Sequence, residues 1–280
     1  MEHLRDNYQQ EINSILLDGF EKELLDAAFI NLLTPNPLRL NNFAYALREL
    51  TRHLLHRLAP DDDLKACSWF QPDETSKTGI TRKHRIKFSI QGGLSDYYVT
   101  KKLRIEDVED ISNELVGIIN ELSSYTHVED KTFNSDDSSV EATAEACLEA
   151  TLNLVNKVSE IRTDLAEKML DDIDSALLDR INSESVVELM EISTHQFIEE
   201  VIPEKIHVSN IGSRSLSIDV TGTIESTLMY GSNSDRRKGD GAEIHASFPV
   251  ASSMEIHFKQ PLGSQIDLDS FKVDISSWYE

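Results

Sequence analysis

The chain has 280 residues, 39% hydrophobic and 28% charged, with 27 Lys and Arg against 50 Asp and Glu for a net charge of −23. Such a composition supports one large packed domain or two modest ones, and a surface this anionic excludes loose, whole-surface attraction to nucleic acid or anionic membrane. No apolar run approaches the ~18 residues that cross a bilayer, and Cys67 and Cys147 are the only cysteines, which excludes a disulfide framework or a Cys-rich zinc module.

The opening MEHLRDNYQQ lacks the apolar stretch of a secretory signal, so a reducing cytoplasm is the expected location. Tyr8, Ile12, Ile15, Leu16, Leu24, Leu25, Ala28, Phe29 and Leu32 follow one helical period that ends before Pro35 and Pro37. A second helix is expected from Asn41 or Asn42, with Phe43, Leu47, Leu50, Leu54 and Leu58 as its apolar stripe and Pro60 as its exit. Asp61-Asp62-Asp63 reads as loop, and Thr81 to Val99 as a shorter helix interrupted at Gly92-Gly93. Ile105 to Leu122 defines a further amphipathic helix, ending at Ser123–His127. Ser138 with Glu141 forms a capping-box pattern opening a long helical stretch to Ile181, with an unmarked break expected near Arg162–Glu167. Ser185 with Glu188 repeats the pattern and predicts a last helix to Glu200.

Glycine and proline then change the texture. No Gly falls between Gly117 and Gly212 and no Pro between Pro72 and Pro203, whereas six of the 11 glycines lie beyond position 205. Past a linker expected at Val201–Glu204, the stretches 206–208, 215–224, 226–230, 243–250, 254–259 and 270–275 alternate apolar with polar residues, the period of a half-buried antiparallel sheet. The expected fold is therefore α+β: a helical domain over 1–202 and a small antiparallel β domain of four to six strands over 203–280.

The chemistry must come from local patches. From Ser76 to Arg104 the chain carries Lys77, Arg82, Lys83, Arg85, Lys87, Lys101, Lys102 and Arg104 against Asp96 alone, a net of +7 within an acidic protein. Gathered on one face, such groups grip phosphates; the alternative is that they pair with acidic helices of the same body, such as Glu106–Glu114. Arg48, Arg52 and His56, at spacings of four, share one helix face beside the leucines. An Arg that holds phosphate beside a His that moves a proton suffices for metal-free RNA cleavage, with the 2′-hydroxyl as nucleophile. Arg48 and His53 form an Arg-x4-His spacing, although a regular helix turns the two about 140° apart. His127, just past a helix end, can project into a groove between helices. Arg236 and Arg237, in the turn-rich stretch Gly231–Gly241, either reach a phosphate or occupy a solvated hairpin tip. Asp61–Asp63 and Asp136-Asp137 offer oxygen ligands for Mg²⁺, but no Walker A loop, GxGxxG, HExxH, GxSxG or CxxC is present, and no metal or cofactor is expected.

Four stretches carry a resemblance: Asn41–Pro60 (NNFAYALRELTRHLLHRLAP), Ile90–Asp96 (IQGGLSD), Gly231–Asp235 (GSNSD) and the closing Ser276–Glu280 (SSWYE). Together they resemble bacterial proteins called predicted pPIWI-associating nucleases, a family linked to prokaryotic defence against phage and plasmids. The helical body also resembles the HEPN superfamily, whose active members are commonly metal-independent, dimeric RNases with an Arg-x4–6-His motif. Arg48 and His53 match that spacing but lie early and mid-helix; Arg48 with His127 fits bundles that pair an early-helix Arg with a His after a later one. These resemblances imply a defence nuclease acting on RNA rather than DNA. Arg48 and Arg52 would hold phosphate, His56 or His53 with His127 would move protons, and Arg82, Lys83, Arg85, Lys87, Lys101, Lys102, Arg236 and Arg237 would bind nucleic acid. A homodimer, a protein partner from a defence operon and no membrane association complete the expectation. Two other readings stay open: a non-catalytic adaptor of a defence complex, and a metal-dependent DNase using Asp61–Asp63 or Asp235 and Asp240.

Overall fold

A computed structural model describes residues 1–105, 108–130, 132–184 and 186–279, with the side chains of Asn233, Asp235 and Arg236 set aside. The first apolar period folds as two helices, α1 (Glu2–Asn13) and α2 (Phe20–Leu33). The break comes at Gly19, whose φ of 87° lies in the left-handed region that glycine enters without strain. α3 (Arg39–Leu58) opens slightly before the expected Asn41 and ends before Pro60. Where a loop was expected, Asp61–Lys65 forms the short helix α4. Its first turn holds Asp61, Asp62 and Asp63, where carboxylates favour the exposed N–H groups of a helix start.

α5 (Arg82–Gln91) stops at the expected glycine pair and is followed by a π-helical turn over Tyr98–Lys102. At Gly93 any side chain is forbidden, because a Cβ would lie 1.8 Å from the Ser213 carbonyl oxygen. α6 (Val108–Ser124) carries its buried stripe Ile111, Leu115, Ile119 and Leu122 as the period predicts. α7 runs unbroken over Asp137–Ser183, so the break expected near Arg162 is absent from the helix. Its cap is Asp136 and not Ser138: the Asp136 carboxylate accepts from the backbone N–H and the hydroxyl of both Ser138 and Ser139. α8 covers only Val187–Ile192, and Ser185 of the expected capping pattern lies outside the described residues.

The helix expected to reach Glu200 is replaced by strand, and the expected linker at Val201–Glu204 lies within it. β1 (His195–Ile211) runs straight through, pairing Val201 with Ile224 and Pro203 with Gly222. Val201 and Ile202 are β-branched and suit a pleated surface. Pro203 is tolerated because β1 is an edge strand and its register shifts between Pro203 and Lys205, so the missing N–H breaks no ladder bond. β2 (Ser215–Tyr230) and β3 (Ala242–His257) each absorb two of the expected short strands, and β4 (Ile266–Val273) completes a four-stranded antiparallel sheet in the order β1-β2-β3-β4. The turn-rich stretch between β2 and β3 holds a short helix, α9 (Asn233–Lys238). The α+β class is as expected, with the helices first and the sheet at the C-terminus.

By contacts the chain divides into Met1–Gln91 with Glu106–Ile161, and Gly92–Ile105 with Arg162–Glu280. In the first unit Leu25, Phe29, Leu32, Phe43, Leu47 and Leu148 share a buried core. In the second, Leu177 and Ile181 of α7 face Val220, Val250 and Met254 of the sheet. Because the obstacle at Gly93 is backbone and not a movable side-chain tip, Gly93→Ala is expected to destabilise the sheet-containing unit by about 1–3 kcal/mol, the cost of overpacking. Urea unfolding of the two proteins measures this.

Candidate functional site

A cavity of about 420 Å³ opens in the first unit between α3, α5 and α6. Residues three, four, seven and eight apart share a helix face, so α3 presents Arg48, Thr51, Arg52, Leu55 and His56 together, with Glu49 beside them. α5 contributes Arg82 and Arg85 at the same spacing, α4 supplies Asp61, and Ile119 of α6 closes the wall with Thr78, Ile80 and Thr81. Among these lining residues are four guanidinium groups against two carboxylates, leaving a net of two positive charges in a molecule of −23.

The two carboxylates organise the cations. Glu49 accepts from Arg48 at 2.9 Å and from Arg52 at 2.8 Å. Burial alone would raise its carboxyl, but the hydrogen bonds from Arg52 and Arg48 carry it below the ordinary carboxylate range. Arg48 also lies over the Tyr45 ring, 4.8 Å from its centroid. Arg85, only 6% exposed, donates to the Ala59 carbonyl and to Asp61, both at 2.6 Å. The bond from Arg85 is the main cause that holds the Asp61 carboxyl below its usual range. Arg82 extends to the Asn120 side-chain oxygen at 3.2 Å and is exposed.

His56 is exposed at this rim. Loss of hydration lowers its pKa, and the charges of Arg85 and Arg52 lower it further, against the opposing pull of Asp61. Its imidazole is therefore neutral at pH 7, the state that accepts a proton. A cationic pocket beside a neutral imidazole can hold a phosphodiester and take a proton from a hydroxyl next to it.

Of the expected catalytic residues, the structure brings Arg48, Arg52 and His56 into this cavity and leaves His53 and His127 off its lining. His53 turns toward α2, where its ring meets Phe20 edge-on at 4.7 Å, and its Nε2 accepts from Arg52 at 3.2 Å. His127 is exposed just past α6. The basic segment disperses. Arg82 and Arg85 line the cavity, Lys83 pairs with Glu109 at 2.6 Å, and Lys87 covers the Trp69 ring at 4.7 Å. Lys101 and Lys102 are exposed in the second unit. Arg237 is exposed on α9, whereas the side chain of Arg236 lies outside those described.

Asn41 is the residue that reading by charge and imidazole passes over. It is 4% exposed, and its amide nitrogen donates to the carbonyls of Tyr125 and His127 and to the Thr132 hydroxyl. It thus fastens the segment after α6, whose Thr126 hydroxyl accepts from Arg48 at 3.5 Å. Its sequence signal is a polar residue on the face of α3 that otherwise buries Phe43, Ala44 and Leu47. The buried cation gives a direct stability test. Arg85→Met keeps the stem but abandons the Ala59 carbonyl and Asp61, and is expected to cost about 2–3 kcal/mol in urea unfolding, the worth of charge-assisted hydrogen bonds.

Residues 13–151 match one family model described as predicted pPIWI-associating nuclease, and residues 158–279 match a second of the same description. No curated protein and no solved structure matches the chain. The two models cover nearly the whole chain in sequence order, and the chain belongs to the predicted pPIWI-associating nucleases.

Proposed function

We propose that this nuclease cleaves RNA without a metal ion, in the cavity formed by α3, α5 and α6. Arg48, Arg52 and Arg82 bind the scissile phosphate. His56 takes the proton of the adjacent 2′-hydroxyl, the 2′-oxygen bonds to phosphorus, and the 5′-oxygen leaves with a proton from water at the open rim. The guanidinium groups stabilise the extra negative charge of the five-coordinate phosphorus. The observation that carries this reading is a neutral imidazole among four arginines in an otherwise anionic chain. Metal independence is supported by the donors, because both lining carboxylates, Glu49 and Asp61, are engaged by guanidinium groups. The family description supports a partnership with a pPIWI protein, and a place in cytoplasmic defence against phage and plasmids is part of the same proposal. A homodimer, as in HEPN-like RNases, belongs to the same reading.

The same ion pairs favour a second reading. Arginines already neutralised by Glu49 and Asp61 suit a binding surface of a defence complex that grips nucleic acid and leaves cleavage to a partner.

Cleavage of labelled RNA and DNA with EDTA present separates the two. The proposal expects RNA cleavage in EDTA, lowered at least ~10²-fold in Arg48→Ala/His56→Gln, the usual worth of a positioned acid or base. Unchanged cleavage by the double variant removes the cavity from the mechanism. Binding of RNA with no cleavage at any metal condition selects the second reading, and activity that appears only with added Mg²⁺ ends the metal-free one. The pH profile adds a signed test. A base with a lowered pKa stays active as pH falls through histidine's usual ~6.5 and loses activity only below it, so the acid limb of kcat/KM should lie under that value in wild type and vanish in His56→Gln.

A further inference from the structure

The sheet carries a cluster independent of the cavity. β3 and β4 pair so that Glu255 lies directly opposite Asp267, and His257, two residues beyond Glu255, shares its face. The alternating positions, Ile256 and Ile266, are buried on the other face. Like charges set directly across a ladder repel, yet here register fixes two carboxylates together. The His257 imidazole nitrogen Nε2 lies 2.8 Å from Asp267 Oδ2, and donor atoms of all three side chains fall within 4.8 Å of one another. Gln265 also donates to Asp267 Oδ2, at 3.2 Å. Lys259 donates to Gln265, and Arg180 donates to the Ile266 carbonyl and pairs with Glu184. Glu255, His257 and Asp267 are all solvent-accessible, so an ion can reach them.

We propose that Glu255, His257 and Asp267 form a binding site for a zinc-like divalent cation. The ion takes the place of the proton between Nε2 and Oδ2, that proton passes to solvent, and Glu255 supplies the third ligand. Ligands of a tetrahedral zinc, each bonded at about 2.0–2.2 Å, lie roughly 3.3–3.6 Å apart, so the 2.8 Å His257–Asp267 pair opens and wider pairs, within 4.8 Å here, close to seat it. One imidazole with two carboxylates suits zinc and its first-row neighbours, whereas Mg²⁺ and Ca²⁺ prefer oxygen alone. Water completes the coordination. Bound there, the ion would clip the eight-residue edge strand β4 to β3 and neutralise the opposed carboxylates.

The test needs no nuclease activity. Untagged full-length protein, stripped with EDTA and dialysed, is titrated with zinc chloride by calorimetry, alongside His257→Gln and Asp267→Asn. The expected result is one zinc per wild-type chain with a Kd below about 100 μM, a raised Tm, and at least tenfold weaker binding in both variants. Peptide mass spectrometry after diethylpyrocarbonate treatment gives a reading on the wild type alone, which holds even if a variant misfolds: zinc should protect His257 from modification. Equal zinc binding by the variants, no binding by the wild type, or labelling of His257 that zinc leaves unchanged would each overturn the assignment.

Discussion

Arg48 and Arg52 stand one helical turn apart, and two guanidinium groups so placed repel each other unless an anion lies between them. Glu49 is that anion, bonded to both. The pairing holds two long, flexible side chains in fixed positions at the cavity wall before any ligand arrives, which reduces the ordering cost of binding. It also sets the limit on what the pocket can attract. Each resident carboxylate cancels one cation, and the field available to a phosphate is the surplus of arginine over acid. Asp61 has the same role for Arg85, with the Ala59 carbonyl as a second anchor. Arg52 and Arg82 are exposed and Arg48 half-buried, whereas Arg85 is mainly structural: its burial and two short bonds fix the start of α4 against α5.

That surplus has its meaning against the rest of the surface. A chain of net charge −23 repels a polyanion at long range, so the proposed capture of RNA would depend on a concentrated positive region whose low-dielectric walls focus its field. The cavity lining joins arginines from two helices with Thr51, Thr78 and Thr81. Burial first, and then the charges of Arg85 and Arg52, lower the pKa of His56. In the proposed mechanism phosphate binding and proton acceptance would share Arg52: its removal would weaken the grip on phosphate and also raise the proton affinity of the imidazole.

The sheet follows a different logic. Its long strands leave β1 and β4 as edges, and β1 carries Pro203, three register shifts and a run of glutamates, features that discourage pairing with another strand. β4 is short, and the polar cluster at Glu255, His257 and Asp267 lies where it is joined to β3.

Much of the helical architecture was legible from periodicity, because α3, α6 and α7 each bury residues at helical spacing, α3 ends just before Pro60 and α5 stops at Gly92-Gly93. The α+β class and the alternating C-terminal strands were legible for the same reason. Boundaries that depend on tertiary pairing were not. Val201-Ile202-Pro203 reads locally as a linker and becomes strand only because β2 offers the partners, and Gly19 interrupts a period that its neighbours alone would continue. At the site, helical spacing on α3 already put Arg48, Arg52 and His56 on one face. Only packing decided that Arg82 and Arg85, more than 25 positions away in sequence, join them, that His53 turns to Phe20, and that Lys83 and Lys87 are taken up by Glu109 and Trp69. A sequence determines which residues share a helix face, since that follows from 3.6 residues per turn; which faces meet is decided by burial of the apolar stripes, and the charges follow the helices that carry them.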